Sequence, residues 1–271
     1  MGDGTGIEWT DATWNPLVGC TKVSPGCDRC YAETFVNRFA GSKGFPERFD
    51  TVVLRDQRFL SQPLRWRRPR RVFVNSLSDL FHADVPDEFI ASVFAVMAEA
   101  RQHTFQLLTK RHGRMRSLLS SERWPQLVAD ADRVLPDGEA IPPTWPLPNV
   151  WLGVSVETQQ WDVRLSALRD TPAAVRWVSA EPLLGPLCLT PWLTGPRHLD
   201  WVVAGGESGP ASRPMSATDA RHIREDCADA GVPFVFKQWG GHDEHGVRMG
   251  KHRAGRHLDG VLHDGYPPTL S

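Results

Sequence analysis

Tyrosine is nearly missing from this chain, two residues of 271 against eleven tryptophans. Aromatic burial therefore falls to Trp and Phe, and a Trp brings a large apolar surface with one donor, which suits ordinary packing and a pocket wall alike. Net charge is almost absent too, −1 at pH 7 with 23% of residues charged. No global field draws such a chain to nucleic acid or to an anionic membrane, so any contact of that kind has to come from a local patch. Long apolar runs are lacking: no window approaches the roughly 20 apolar residues of a membrane helix. The opening MGDGTGIEWTD has neither the basic stretch nor the apolar run of a secretory signal. The expectation is a cytoplasmic protein with no membrane contact. Cysteine is scarce and odd in number, five in all, which argues against a disulfide framework and, in a reducing compartment, for metal binding.

What is there is concentrated. Cys20, Cys27 and Cys30 fall within eleven residues, on a stretch interrupted by Pro25 and Gly26. Three soft thiolates on one short loop suit a metal or an iron-sulfur cluster better than a packed core. Spacing leaves three outcomes open: a [4Fe-4S] cluster with one iron free, a zinc completed by a fourth residue such as His82, or unliganded thiols. Cys188 and Cys227 read as structural, Cys227 because it falls on the apolar side of an amphipathic helix.

After the cysteines, Tyr31 to Gly41 carries Phe35 and Phe39 four residues apart and closes on glycine, as a short helix does. The segment TWNPLVG before Cys20 reads as a short first strand, with Pro16 tolerable only at a strand start or an edge. From Arg71 one pattern repeats: an apolar β-branched run, a polar end, then an amphipathic helix. The runs are RVFVNSLSD, TFQLLTKR, NVWLGVSVE, VRWVSAEPL, LDWVVAGGESG and PFVFKQWG. Helices are expected from about Pro86, up to Leu119, over Thr158 to Arg169, and over Ala217 to Ala230 before Gly231. The interval 121–148, with six prolines, reads as an insertion, and 241–271 as a C-terminal extension of a single domain 1–271. Such alternation implies parallel strands joined by right-handed crossovers, and the fold class expected is α/β, a partial (β/α) TIM-like barrel of six to seven parallel strands. A doubly wound open sheet satisfies the same alternation.

In either fold the site lies at the C-terminal ends of the strands. Those ends supply Asn75, Ser78, Asp79, Ser155, Glu157, Glu181, Gly205, Gly206 and Glu207 as candidate cofactor-binding residues, and Lys110, Arg111, Lys237 and Gln238 as candidate substrate-binding residues. Helix capping accounts for Ser78, Thr158 and Ser208. It accounts poorly for Glu157, Glu181 and Lys237, each placed directly after a buried run. The five arginines between Arg65 and Arg71 precede a strand and so belong to the opposite face. Lys110, Arg111, His112 and Arg114, with the Gly-spaced tail RMGKHRAGRH, lie on the site's side and point to a phosphate-bearing substrate, a nucleotide or nucleic acid.

Taken together, W-x-x-x-x-W-N-P-x-x-G-C from Trp9 to Cys20, the three cysteines, the run from Val74 to His82, T-K-R at Thr109, S-x-E-P-L at Ser179, G-G-E-S at Gly205 and K-Q-W-G at Lys237 carry a resemblance. The chain resembles, over nearly its whole length, a family of phage and bacterial proteins, a domain of unknown function named from phage gene products, itself similar to radical S-adenosylmethionine enzymes. The resemblance implies a radical-SAM-like partial barrel with a [4Fe-4S] cluster on Cys20, Cys27 and Cys30 and S-adenosylmethionine on its open iron. It also implies a 5′-deoxyadenosyl radical that takes hydrogen from a substrate, and a protein partner encoded nearby. Three features depart from those enzymes. The loop is C-x6-C-x2-C rather than C-x3-C-x2-C, Arg29 stands where an aromatic commonly precedes the last cysteine, and Gly205-Gly206-Glu207 follows a late strand rather than the second. A zinc-stabilised nucleic-acid-binding protein, and a cluster-binding partner subunit without S-adenosylmethionine cleavage, are the alternatives.

Overall fold

In the computed structural model, which describes residues 5–42, 44–132 and 144–268, the apolar runs become seven strands of one sheet. They are β1 (Ala12–Trp14), β2 (Arg71–Val74), β3 (Thr104–Thr109), β4 (Val150–Ser155), β5 (Val175–Ala180), β6 (Trp201–Gly205) and β7 (Phe234–Gln238). Sheet order follows chain order from β1 to β7, and the β1/β2, β2/β3, β5/β6 and β6/β7 ladders are parallel. A doubly wound sheet reverses its order at a switch point. This sheet never does, so its winding is that of a partial (β/α) barrel with β1 and β7 as its terminal strands, the latter bridged antiparallel to the C-terminal segment at Val235 and Asp264. Among the described residues no helix is long and apolar enough to cross a membrane.

The chain divides into two compact units. The first comprises residues 1–21, 32–152 and 171–174. Its strands β1 to β3 bury Trp14, Val72, Val74, Phe105 and Leu107, with the Trp14 and Phe105 rings 5.7 Å apart. The helix α1 (Tyr31–Arg38) leaves Phe35 and Phe39 exposed. Helix α2 (Asp87–Glu99) starts at Pro86, whose fixed φ suits a helix entry, and places Asp87 and Glu88 at its positive end. Ile90, Val93, Phe94 and Met97 form its buried stripe. Helix α3 (His112–Leu119) follows β3 directly, and α4 (Trp124–Asp132) packs on α2 through an edge-to-face contact of Phe94 and Trp124 at 5.1 Å. The interval 121–148 thus begins as a helix, because Trp124 and Val128 share one buried face; its residues 133–143 lie outside those described. The first strand also differs from expectation. It ends at Trp14, before Pro16 removes a ladder donor, and Leu17–Val18 instead pairs antiparallel with Val53–Leu54.

The second unit comprises residues 22–31, 153–170 and 175–271. Trp177 and Trp201 are register partners on β5 and β6, with rings 5.1 Å apart, and both are fully buried. Tryptophan here is mainly core. Between β4 and β5 the expected helix splits into a 3-10 turn, Gln159–Trp161, and α5 (Val163–Asp170). Helix α6 (Ala217–Ala230) has the ends the sequence specifies: the Asp219 amide donates to Ser216 Oγ at 3.2 Å, and Gly231 takes the left-handed conformation at φ 68°. Cys227 is buried in α6, and burial pushes its thiol up to about 12. Cys188 is exposed, with its Sγ 3.6 Å from Thr190 Oγ1. The C-terminal extension is no loose tail: Trp239 N donates to Gly255 O, Arg256 Nε donates to Lys237 O at 3.0 Å, and His257–Leu258 pairs with Val261–Leu262.

Gly153 on β4 faces the fully buried Trp177, whose indole a Cβ there would overlap. Gly153→Ala is expected to lower the unfolding free energy by about 1–3 kcal/mol through overpacking, read as a fall in the urea midpoint at unchanged slope.

Candidate functional site

In the first unit the polar ends of β2 and β3 are knitted together by Asp79. Its carboxylate accepts from Thr109 Oγ1 at 2.7 Å, from Lys110 N at 3.0 Å and from Phe81 N at 3.0 Å. This buried acid is therefore occupied by the fold, and it fixes the turn from β3 into α3. Arg111 follows from that turn. Its guanidinium donates to Thr21 O at 3.0 Å and Thr21 Oγ1 at 2.8 Å, lies 3.8 Å from Cys20 Sγ, and has Nε 4.0 Å from Asp79. Thr21 Oγ1 also meets His82 Nε2 at 2.8 Å. Burial, and then the Arg111 charge, hold the His82 imidazole below its ordinary range, so it is neutral near pH 7. Arg114 donates to the carbonyls of His82 and Val85 and pairs with Asp87 at 2.7 Å, bracing the loop between β2 and α2.

Ser78 does not cap a helix. Its Oγ donates to Leu17 O at 3.0 Å, and Ser78 bridges to Gly19, so it fixes the backbone leading into Cys20. Asn75, one residue past β2, stands at φ 62° and is buried. The Lys110 main chain is held by Asp79 while its side chain is half-buried.

In the second unit two carboxylates hold the cysteine-bearing segment 22–31. Glu157 pairs with Arg164 at 2.9 Å, both side chains 1% exposed, and accepts from Ser24 Oγ at 2.7 Å. Arg164 also donates to Ser155 O at 2.6 Å and stacks 4.3 Å over the Trp161 ring. Gly26 has no Cβ because one would overlap the Glu157 side chain. Glu207 is forked by Arg213, with Nη2 at 2.6 Å and Nε at 3.0 Å, and accepts from Arg213 N at 2.8 Å. Arg213 then reaches Pro25 O at 2.9 Å, and Arg29 lies 3.7 Å from Glu207. Bidentate pairing of this kind sets geometry as well as charge.

Glu181, after β5, takes Lys237 Nζ at 2.6 Å and Gln238 Nε2 at 3.5 Å from the end of β7, and its carbonyl accepts from Ser155 Oγ at 3.2 Å. The glycine pair has a packing cause: a Cβ on Gly206 would overlap Trp239 O, and one on Gly205 would lie 3.3 Å from Lys237 Cβ. The strand-end acids thus meet basic partners within their own unit. The residues missed from sequence are Thr21, Ser24, Arg164 and Arg213, each polar in an otherwise ordinary context and given a role only by a distant partner.

Cys20 belongs to the first unit, Cys27 and Cys30 to the second. None of the three is in a disulfide, and all are half-exposed. Their kind fits a cluster: soft donors outside any disulfide, with a guanidinium N–H beside Cys20 Sγ of the sort that supports a ligating sulfur. Among the described residues no group of three or more His, Cys, Asp or Glu is placed as a ready metal site.

The chain belongs to the family described as protein of unknown function (DUF5131), whose model matches residues 4–267. No curated protein matches it. Among solved structures it is similar to spore photoproduct lyase complexed with dinucleoside spore photoproduct, at 12% identity and a TM-score of 0.40, over 78% of this chain and 58% of that one. The winding of the fold rests on the strand order of this chain, not on that likeness.

Arg164→Met removes the cation beside a carboxylate that has no solvent. A loss of about 3–5 kcal/mol in unfolding free energy is expected, with part of it recovered in Arg164→Met/Glu157→Gln, both read from urea transitions.

Proposed function

We propose that this member of the family is an iron-sulfur enzyme of the radical S-adenosylmethionine kind, with Cys20, Cys27 and Cys30 as the three protein ligands of a [4Fe-4S] cluster. The observation that supports it is one of placement: three thiols outside any disulfide on one eleven-residue segment, just beyond the first strand of a parallel sheet wound in chain order. Sites in such folds lie at that end of the strands. When bound, the group would supply one-electron cleavage of S-adenosylmethionine, giving a 5′-deoxyadenosyl radical that takes hydrogen from the substrate.

The chain's own residues hold and orient. Glu157 with Ser24, and Glu207 with Arg213, position the segment carrying Cys27 and Cys30. Ser78 and Asp79 position Cys20, the latter through the β3 turn and Arg111. Asn75, Ser155, Glu181, Gly205 and Gly206 remain the candidate walls of the cofactor site. Arg111, expected at a substrate phosphate, is committed to Thr21 and Cys20. Lys237, expected at the substrate, is paired with Glu181, and the neutral Gln238 amide donates to Glu181 and to the Gly206 carbonyl; Lys110 remains the proposed contact to a nucleotide or nucleic-acid substrate.

Protein purified without oxygen is expected to carry iron and sulfide in equal amounts, about four of each per chain. Both should fall sharply in Cys27→Ser, and 5′-deoxyadenosine should form once S-adenosylmethionine and a one-electron reductant are added. A folded, colourless wild type holding one zinc overturns this reading in favour of a zinc-stabilised nucleic-acid-binding protein. Iron without 5′-deoxyadenosine turns it into a cluster-binding partner subunit.

A further inference from the structure

The arginines ahead of β2 have no part in the proposed chemistry. Residues 57–71 hold six arginines and no aspartate or glutamate, in a chain whose net charge is −1. Arg71 is paired with Asp11 at 3.3 Å. Arg58, Arg65, Arg67 and Arg68 are exposed and make no ion pair among the described residues. Like charges gathered without acids repel one another, so this concentration costs the fold stability rather than adding to it.

The stretch is nevertheless held in place. Arg65 donates from Nη2 to Arg58 O at 2.6 Å and from Nη1 to Ser61 Oγ at 3.1 Å, and the Arg70 guanidinium lies 5.2 Å over the Trp66 ring. Gln102 Nε2 donates to Trp66 O at 3.1 Å and Thr104 N to Arg70 O at 2.9 Å, which fastens the stretch to the start of β3 and brings the exposed Arg101 beside it. All of this lies in the first unit, at the N-terminal ends of β2 and β3. Asp79 and Thr109 meet at the other ends of the same strands.

The chemistry of the surface selects its partner. A guanidinium matches a phosphate at two points, and several of them, unpaired and side by side, match a repeating polyanion. Trp66 limits the form of that polyanion. It is half-buried, with Arg70 over its ring and His103 edge-to-face at 5.7 Å, a poor platform for unstacked bases. A duplex keeps its bases stacked and presents phosphate. A membrane surface fits less well, because segments that bind one set apolar side chains beside the basic ones. Here Leu60 and Pro63 are turned into the protein.

We propose that this arginine surface binds the phosphate backbone of a nucleic-acid duplex without reading its sequence. The proposal is independent of the iron-sulfur reading, which concerns the opposite ends of the strands.

The test is fluorescence anisotropy of a labelled DNA duplex of mixed sequence, about two helical turns long, titrated with the full chain from about 50 to about 200 mM salt. Four arginine contacts give a slope of log affinity against log salt of about −4. Arg67→Gln/Arg68→Gln, at two exposed positions, is expected to keep the wild-type urea midpoint, weaken binding at least about tenfold at the lower salt and reduce the slope by about two. Arg123→Gln/Arg197→Gln removes the same charge elsewhere and is expected to leave affinity and slope as they are. No binding of the duplex by wild type overturns the proposal, as does equal weakening in the two double variants. Tighter binding of the separated single strand overturns the choice of a duplex. Capture by phosphatidylserine vesicles through Arg67 and Arg68, with the duplex left unbound, overturns it in favour of a membrane surface.

Discussion

The second unit depends on one buried ion pair. Glu157 and Arg164 are 2.9 Å apart with almost no solvent on either, an arrangement that costs more in desolvation than it returns unless every remaining polar atom is well placed. Arg164 contributes by bonding the Ser155 carbonyl and lying on the Trp161 ring. Glu157 contributes by accepting from Ser24. Through that last bond the end of β4 becomes an anchor for the cysteine segment, which can lie against it only because residue 26 is glycine.

The first unit reaches a similar end by different chemistry. Asp79 collects two main-chain amides and a threonine hydroxyl, and so sets the turn from which Arg111 extends to Thr21 and Cys20. In both units acidic side chains at strand ends are turned toward arginines and backbone donors. Each unit thus bonds its own part of the cysteine stretch to its strand ends, the backbone before Cys20 in the first and residues 24–25 in the second. Asn75 differs: its buried side-chain amide has no hydrogen-bond partner among the described residues.

The parts legible in the sequence were those governed by local rules. Strands appeared as β-branched runs, α6 as an amphipathic stretch between Ser216 and Gly231, and the cysteine segment as three thiols too close for disulfides. One difference also has a local cause: the sequence reads a first strand through Pro16, whose missing N–H ends it early.

Composition and periodicity by themselves determined that the chain alternates strand and helix, that its tryptophans have a core to fill, and that Cys20, Cys27 and Cys30 fall within eleven residues, because each follows from residue type and short-range spacing. Only the tertiary structure decided that the sheet winds without reversal, that Glu157, Glu207 and Asp79 are already paired, and that Asn75 is not. Those facts depend on partners up to 188 residues apart, as Arg213 is from Pro25, and no local pattern encodes which arginine meets which acid.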